Sequence, residues 1–187
     1  AFKPAASADE AIARIEELGG VVRKASAKAD SIEVDLQDAR LSDDHLRYLL
    51  QLKGVAILRL RGTAVTDAGL VHVGKLTGLK RLHLDRTSIG DAGLRHLTSL
   101  KEMEFLNVYS TSVSDKGIEE IKQLTKLKFL FIGETKVTSK GIAEIKRALP
   151  GLQVTPDPMV ERERAKVALE TARSALANAE TAMAAAN

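Results

Sequence analysis

The four histidines are the residues of this 187-residue chain best suited to catalysis or metal binding, because the sequence contains no cysteine. His72 and His96 lie 24 positions apart, in step with Tyr48, Glu120 and Glu144. If the fold repeats at that interval, these side chains form one column, and stacked imidazole and carboxylate groups can ligate a metal ion. A solvated helix face has the same spacing. We expect the solvated face and predict no metal site.

Sequence motifs of catalytic machinery are absent. The chain has no GxSxG, HExxH, phosphate-binding loop or dinucleotide-binding fingerprint. The acidic pairs Asp43-Asp44 and Glu119-Glu120 are adjacent in sequence, and adjacent residues on a helix do not face each other. His83 stands alone on a predicted strand. We therefore predict no enzymatic activity, no catalytic residue and no cofactor.

Composition narrows the possible partners. Lys and Arg number 28 against 25 Asp and Glu, so the net charge of +3 is too small and too dispersed to predict nucleic-acid binding. No apolar run is long enough to span a bilayer. The absence of cysteine excludes disulfides and thiolate zinc sites. The sequence begins at Ala1 rather than Met, which is compatible with removal of a secretory signal and equally with a shortened start.

A 24-residue repeat organises the middle of the chain. Its copies are LKGVAILRLRGTAVTDAGLVHVGK at 52–75, LTGLKRLHLDRTSIGDAGLRHLTS at 76–99, LKEMEFLNVYSTSVSDKGIEEIKQ at 100–123 and LTKLKFLFIGETKVTSKGIAEIKR at 124–147, after a degenerate copy from about Ser31. A fixed period of this length with leucine at matching positions predicts a solenoid. Within each copy, alternating apolar residues such as Leu82 and Leu84 predict a short strand facing the core.

The second half of each copy predicts a turn and a helix. A threonine column is expected to bond turn backbone: Thr63, Thr87, Thr111 and Thr135. Helix N-caps are predicted at Ser42, Thr66, Ser114 and Thr138, with Gly90 as the exception. Asp67, Asp91 and Asp115 follow the caps, where a carboxylate complements the helix dipole. Glycine weakens a helix, so the column Gly69, Gly93, Gly117 and Gly141 predicts close packing against the neighbouring coil.

These repeats resemble the bacterial leucine-rich repeat subclass marked by T-x-[VI]-[TS]-D-x-G-[LI], of planctomycete type. The pattern occurs as TAVTDAGL at 63–70, TSIGDAGL at 87–94 and TSVSDKGI at 111–118, while TKVTSKGI at 135–142 has Ser139 in place of aspartate. The resemblance implies an α/β right-handed solenoid with a parallel sheet on the concave side and helices on the convex side. It implies protein binding and no catalytic residue. It suggests a periplasmic or extracellular location and leaves a cytoplasmic one open.

Different segments are predicted on either side of the solenoid, which we place at 32–154. Residues 1–31 should form a cap of a helix and a hairpin over the first coil. Residues 155–187 are rich in alanine and favour a helix. Their apolar positions alternate at spacings of four and three, as in a coiled-coil seam: Ala165, Leu169, Ala172, Leu176, Ala179 and Met183. This helix is predicted to dock on a partner or to begin a longer coiled coil; a frayed tail is the alternative.

Residues that flank the inward leucines must point to the concave side of the sheet. They form three columns, which are Glu33, Ile57, Arg81, Phe105 and Phe129; Asp35, Arg59, His83, Asn107 and Phe131; and Gln37, Arg61, Asp85, Tyr109 and Gly133. Four of the six Phe and Tyr residues of the chain lie in these columns, in the last two repeats. Arginines occupy the earlier repeats. Clustered aromatic and arginine side chains are typical of interfaces.

Two occupants of this surface are possible, a separate protein or the C-terminal helix of the same chain. The first hypothesis is a non-catalytic protein-binding module. Its predicted partner-binding residues are Arg59, Arg61, Arg81, His83, Asp85, Phe105, Asn107, Tyr109, Phe129 and Phe131. The alternative is a structural accessory subunit, or scaffold, of a larger envelope or electron-transfer complex, attached through residues 155–187.

Overall fold

The computed structural model describes residues 4–25, 30–156 and 171. The chain divides into two compact units, residues 1–155 and 156–187. All elements given below belong to the first unit. The predicted C-terminal helix and its docking residues lie outside the described residues, as does the tip of the predicted N-terminal hairpin.

Strands and helices alternate along the first unit. The strands are β1 (Val21–Lys24), β2 (Ile32–Asp35), β3 (Val55–Arg59), β4 (Arg81–His83), β5 (Phe105–Asn107), β6 (Phe129–Phe131) and β7 (Gln153–Thr155). The α-helices are α1 (Ala8–Glu17), α2 (Leu70–Val73), α3 (Asp91–Leu94), α4 (Asp115–Ile121) and α5 (Ser139–Ala148). Two 3-10 helices occupy Asp43–Gln51 and Arg95–Leu97.

The predicted N-terminal helix and hairpin start the structure. Helix α1 begins after Ser7, whose hydroxyl accepts a hydrogen bond from the Glu10 amide. The helix buries Ala11 and Ile15 against the first coil. Gly19 then reverses the chain with a φ of +88°. Strand β1 runs antiparallel to β2 and forms one edge of the sheet.

The sheet contains seven strands in chain order, and β2 to β7 are parallel. The register confirms the repeat, since Leu58, Leu82, Leu106, Leu130 and Val154 stand side by side. All five are buried, and they belong to one continuous apolar core. Each coil therefore covers the apolar face of the next, as in a solenoid. The fold class is the predicted α/β solenoid with a parallel sheet.

The threonine column closes the turn after each strand, as predicted. The hydroxyls of Thr63, Thr87, Thr111 and Thr135 donate to the backbone carbonyl three residues earlier at 2.6–2.7 Å. Each threonine hydroxyl and the backbone carbonyl that it contacts are thereby hydrogen-bonded within one coil. The first three threonines are buried, where an unpaired hydroxyl is costly.

The aspartate column acts between coils, which differs from its predicted role. The Asp91 carboxylate accepts the Ser114 amide at 2.7 Å, the Ser114 hydroxyl at 2.6 Å and the Gly117 amide at 3.0 Å, all in the next coil. Asp43 and Asp115 bind Thr66 and Thr138 in the same way through amide and hydroxyl. The carboxylates thus form a ladder that joins consecutive coils.

The glycine column makes room for this ladder. A Cβ atom at Gly93 would lie 2.4 Å from a carboxylate oxygen of Asp67, and one at Gly141 would lie 2.2 Å from that of Asp115. The predicted close packing is confirmed, and the structure identifies the aspartate as the group that needs the space. The repeat pattern is not continued in the sequence after Val154, and the last copy carries Ser139 where the earlier copies carry aspartate.

Three local predictions need correction. Helix α2 begins only at Leu70, so Thr66 opens a turn instead of capping that helix. The apolar segment 149–154 predicts a last strand, but the Leu152 amide donates to the Leu149 carbonyl in a turn and only Gln153–Thr155 pair with β6. Tyr48 is buried instead of lying on a solvated face.

Candidate functional site

The strand registers place two of the three predicted columns on the sheet face opposite the core, and backbone hydrogen bonds between coils continue the third column beyond the strand ends. Phe105 pairs with both Arg81 and Phe129, and Asn107 pairs with both His83 and Phe131. The inward positions between them are filled by leucine. The four aromatic residues of these columns form what we call the aromatic patch, namely Phe105, Tyr109, Phe129 and Phe131.

Two rings of the aromatic patch pack on each other, and a third is exposed to solvent. The Phe105 and Phe131 ring centroids are 5.2 Å apart and tilted by 38°. Such tilted pairs add about 0.5–1.5 kcal/mol beyond area burial. Phe129 is the most open member, with 41% of its surface exposed. Contact between Phe105 and Phe131 restrains these two rings, while Phe129 beside them stays accessible.

Hydrogen bonds fix Asn107 and Tyr109 at the edge of the aromatic patch. The Asn107 carboxamide oxygen accepts the Tyr109 amide at 2.9 Å, and its nitrogen donates to Asp85 at 3.0 Å. The Tyr109 hydroxyl donates to the Glu134 carboxylate in the next coil. This bond raises the pKa of Tyr109 and lowers that of Glu134. Tyr109 is therefore oriented before any partner arrives, which reduces the entropy cost of binding.

Arg59, one of the predicted contact arginines, is already paired with carboxylates of the same sheet. Arg59 lies 2.6 Å from Glu33 and 3.9 Å from Asp35, and Arg23 reaches Glu33 from β1 at 3.0 Å. The hydrogen bond from Arg23, assisted by Arg59, lowers the pKa of Glu33 to about 2 although burial opposes it. A partner must compete with these carboxylates for the Arg59 guanidinium.

Arg61 and Arg81 differ in what they contact. Arg61 lies 3.4 Å from Asp85, which is itself nearly buried. The Arg81 guanidinium stands over the Phe105 ring, 4.8 Å from its centroid, in a cation–π contact. No ion pair involves Arg81 within the described part of the chain. Arg81 is thus the concave arginine whose charge remains available.

His83, one of the predicted contact residues of the concave surface, packs against the aromatic patch. Its ring packs on Phe105 with centroids 4.7 Å apart. Its Nε2 atom is buried and has no hydrogen-bond partner among the described residues. Burial, reinforced by the nearby Arg59 charge, lowers the pKa of His83 to about 4. The imidazole is therefore neutral at physiological pH and behaves as a further ring of the cluster.

The depressed pKa of His83 predicts a loss of stability in mild acid. Unfolded histidine titrates near 6.5 and folded His83 near 4, so between these values the unfolded state binds more protons. Stability should fall as the pH drops through that window, by about 1.5 kcal/mol between about pH 7 and pH 5. His83→Phe keeps a ring and removes the titration. Urea unfolding of both proteins at the two pH values checks this, and equal losses would contradict it.

A left-handed residue follows each of the strands β2 to β6 at the edge of the concave face. Asp38, Arg86, Ser110 and Glu134 have φ between +54° and +57°, and Gly62 has +69°. This conformation costs a non-glycine residue on the order of 1 kcal/mol. The five positions share the 24-residue spacing. Only Gly62 is a glycine, the residue type that favours this conformation, so the residue types alone did not predict the left-handed column.

The column of His72, His96, Tyr48, Glu120 and Glu144, for which no metal site was predicted, does not form a cluster of ligands in the described residues. His72 is half-buried, His96 is exposed and Tyr48 is in the core. Within the described residues, no three His, Asp or Glu side chains are placed to hold a metal ion. Over the same residues, no helix is long and apolar enough to cross a membrane.

Comparison with known proteins gives similarity in fold. No protein-family model matches the chain, and no match is found among curated proteins. An internalin of Listeria monocytogenes is 24% identical with a TM-score of 0.50, over 58% of this chain and 30% of that protein. A leucine-rich repeat protein of Leptospira interrogans is 21% identical with a TM-score of 0.42, over 58% and 33%. Internalin C2 of Listeria monocytogenes is 16% identical with a TM-score of 0.44, over 65% and 69%.

The aligned part of this chain thus spans about a third of the length of each of the first two proteins. At sequence identities of 16–24%, the similarity shows a shared backbone fold and nothing about function. The first internalin supports the architecture that the 24-residue period and the parallel registers define independently. The repeat period, the parallel registers and this likeness together show that the chain has the leucine-rich repeat fold.

Proposed function

We propose that this protein is a non-catalytic module that holds a protein partner on the concave side of its sheet. The observation that carries the proposal is the aromatic patch, which lies on the face opposite a core already filled by aliphatic side chains. A patch of this kind is rare on a surface that has no partner. Aromatic and arginine side chains dominate binding energy at protein interfaces.

The proposed contact residues have graded roles. Phe129 is the anchor, since it is exposed, and Phe105 and Phe131 support it. Tyr109 and Arg81 supply polar contacts at the margin. The remaining predicted contact residues, which take part in hydrogen bonds, ion pairs or ring packing within the sheet, shape the neighbouring surface: Arg59, Arg61, His83, Asp85 and Asn107.

Replacing Phe129 and Phe131 by serine should abolish partner binding and leave the fold intact. Loss of two central aromatic anchors typically costs several kcal/mol of binding free energy. The test is native co-purification of the full chain from cells that naturally produce it, followed by mass spectrometry. A partner that is retained by the wild type and lost with the double variant supports the proposal.

A matched control is available on the convex side. Leu50 exposes 39% of its surface, close to the value for Phe129, and Leu50→Ser removes a comparable exposed apolar group. This control should retain the partner. If the Phe129→Ser/Phe131→Ser protein keeps every partner of the wild type while its circular dichroism is unchanged, the concave surface is not the binding site.

We also propose the finer classification. The ladder of Asp43, Asp91 and Asp115 gives a physical reason for the aspartate and glycine of the T-x-V-T-D-x-G-L pattern, which supports that bacterial subclass. The resemblance to this subclass favours a periplasmic or extracellular location. Residues 1–31, 32–154 and 155–187 are proposed as cap, solenoid and C-terminal helix.

An accessory subunit of a larger complex is the second candidate. It rests on the apolar spacing of residues 155–187, which predicts an attachment helix. Deleting residues 157–187 should then release the solenoid from its complex while the Phe129→Ser/Phe131→Ser protein stays assembled. Size-exclusion chromatography of native extracts separates the two candidates. If the Phe129→Ser/Phe131→Ser protein is released while the protein lacking residues 157–187 stays assembled, the concave surface is favoured.

A further inference from the structure

The cationic groups beside the aromatic patch point to the chemistry of the partner. Residues 80, 104 and 128 directly precede Arg81, Phe105 and Phe129, which stand side by side in the sheet. The edge where these strands begin therefore borders the aromatic patch along its length. We call its charged side chains the cationic rim, consisting of Lys80, Arg81, Lys126 and Lys128 with Glu102 and Glu104.

The cationic rim keeps a surplus of positive charge. Lys126 pairs with Glu102 at 2.7 Å and Lys128 pairs with Glu104 at 2.7 Å. Lys80 and Arg81 have no ion-pair partner in the described part of the chain. Four cations thus face two carboxylates. The pKa of Glu104 is lowered, first by the hydrogen bond from Lys128 and further by the charges of Lys128, Lys80 and Lys126.

The other concave charges leave no such surplus. Arg59 and Arg61 are held by carboxylates of neighbouring strands. At the opposite edge, Glu134 is bound by Tyr109 and lies near Arg86. The aromatic patch is therefore bordered by net positive charge on one side, at the start of the strands.

A cleft of about 480 Å³ extends this edge beyond Phe129. It lies between the segments that lead into β6 and β7. Lys126 and Lys128 border it, and Leu127, Leu149 and Pro150 contribute apolar lining. An extended chain that crosses Phe129 could continue into this cleft with apolar contacts below and cations beside it.

We infer that the partner of the concave surface is an acidic protein segment that places an aromatic or aliphatic side chain on Phe129 and a carboxylate on Arg81. This inference rests on the proposed function and specifies it. Arg81 is suited to the task because its guanidinium is already positioned by the Phe105 ring. A carboxylate that binds it gains directional, charge-assisted hydrogen bonds. The neighbouring lysines attract acidic residues on either side of that contact.

Selection of short random peptides displayed on phage, with the full chain as bait, tests the inference. The wild type should enrich peptides in which Asp or Glu flanks an aromatic or aliphatic residue. Arg81→Glu should bind these peptides at least about tenfold more weakly and should enrich basic residues instead. Arg81→Gln, which adds no new charge, should weaken binding to a smaller extent.

Lys140→Glu is the matched control, because it makes the same change in net charge at an exposed position of α5. It should leave peptide binding unchanged. Peptides that require Phe129 but show no acidic preference, and that bind Arg81→Glu as well as the wild type, would overturn the inference and leave the proposed function standing. If no selected peptide depends on Phe129 and Phe131, both are overturned.

Discussion

Asp91→Ala is expected to lower the free energy of unfolding by about 3 kcal/mol, a large effect for a partly exposed residue. The Asp91 carboxylate binds the Ser114 amide, the Ser114 hydroxyl and the Gly117 amide, and all three groups belong to the next coil. Alanine leaves these donors without an acceptor at the start of α4. Urea unfolding followed by circular dichroism measures the change.

The chain contains graded controls for this prediction. Asp67 accepts only the Gly90 amide, at 2.7 Å, because glycine has no hydroxyl, so Asp67→Ala should cost only about 1 kcal/mol. Conversely, Gly90→Ser should stabilise the protein by about 1 kcal/mol. Its new Cβ would lie 3.8 Å from the nearest atoms, and its hydroxyl could bind Asp67 as Ser114 binds Asp91. Equal losses for Asp91→Ala and Asp67→Ala would contradict the ladder.

Gly74→Ala is expected to destabilise the protein by about 2–3 kcal/mol. A Cβ atom at Gly74 would lie 2.0 Å from the His96 carbonyl oxygen and 3.0 Å from its carbonyl carbon. Both are backbone atoms of the next coil, so no side-chain rotation relieves the clash and the two coils must separate. The Ser99 hydroxyl, which donates to the Gly74 carbonyl at 2.7 Å, holds the coils together at the same point.

Gly78→Ala is the matched control for Gly74→Ala. Gly78 lies in the same coil-to-strand connection, its backbone is not left-handed, and a Cβ atom added there would meet no neighbouring atom within 4 Å. Alanine there should be neutral or stabilising by about 0.5 kcal/mol, since it restricts the unfolded chain. Thermal unfolding of the two variants provides the comparison. A similar change in both would show that contact between coils does not set the cost at Gly74.

The residues expected to set stability differ from those proposed to bind a partner. The ladder of aspartates, the threonine turns and the leucine core use positions that recur at the 24-residue interval, and they fix the spacing of the strands. The aromatic patch and the cationic rim use positions that vary between coils. We therefore expect the variants discussed above to divide into two groups: Asp91→Ala and Gly74→Ala change stability, whereas Phe129→Ser/Phe131→Ser and Arg81→Glu change binding.

Periodicity alone determined the fold and the makeup of the concave surface. Residues 24 positions apart must be neighbours in a solenoid, so the strand registers and the columns through Phe105, Asn107 and Tyr109 could be read directly from the sequence. The same period predicted the core leucines, the threonine turns and the close approach at the glycine column.

Tertiary structure decided which side chains pair across coils. The sequence assigned Asp91 to its own helix, but its carboxylate reaches Ser114 in the next coil. It treated Arg59 and Arg81 alike, but a carboxylate holds only the former. It predicted His83 only as a partner contact, but that ring also packs on Phe105 within the chain. A repeat period fixes which backbones are adjacent, whereas these pairings depend on side-chain direction, reach and burial, which a period does not specify.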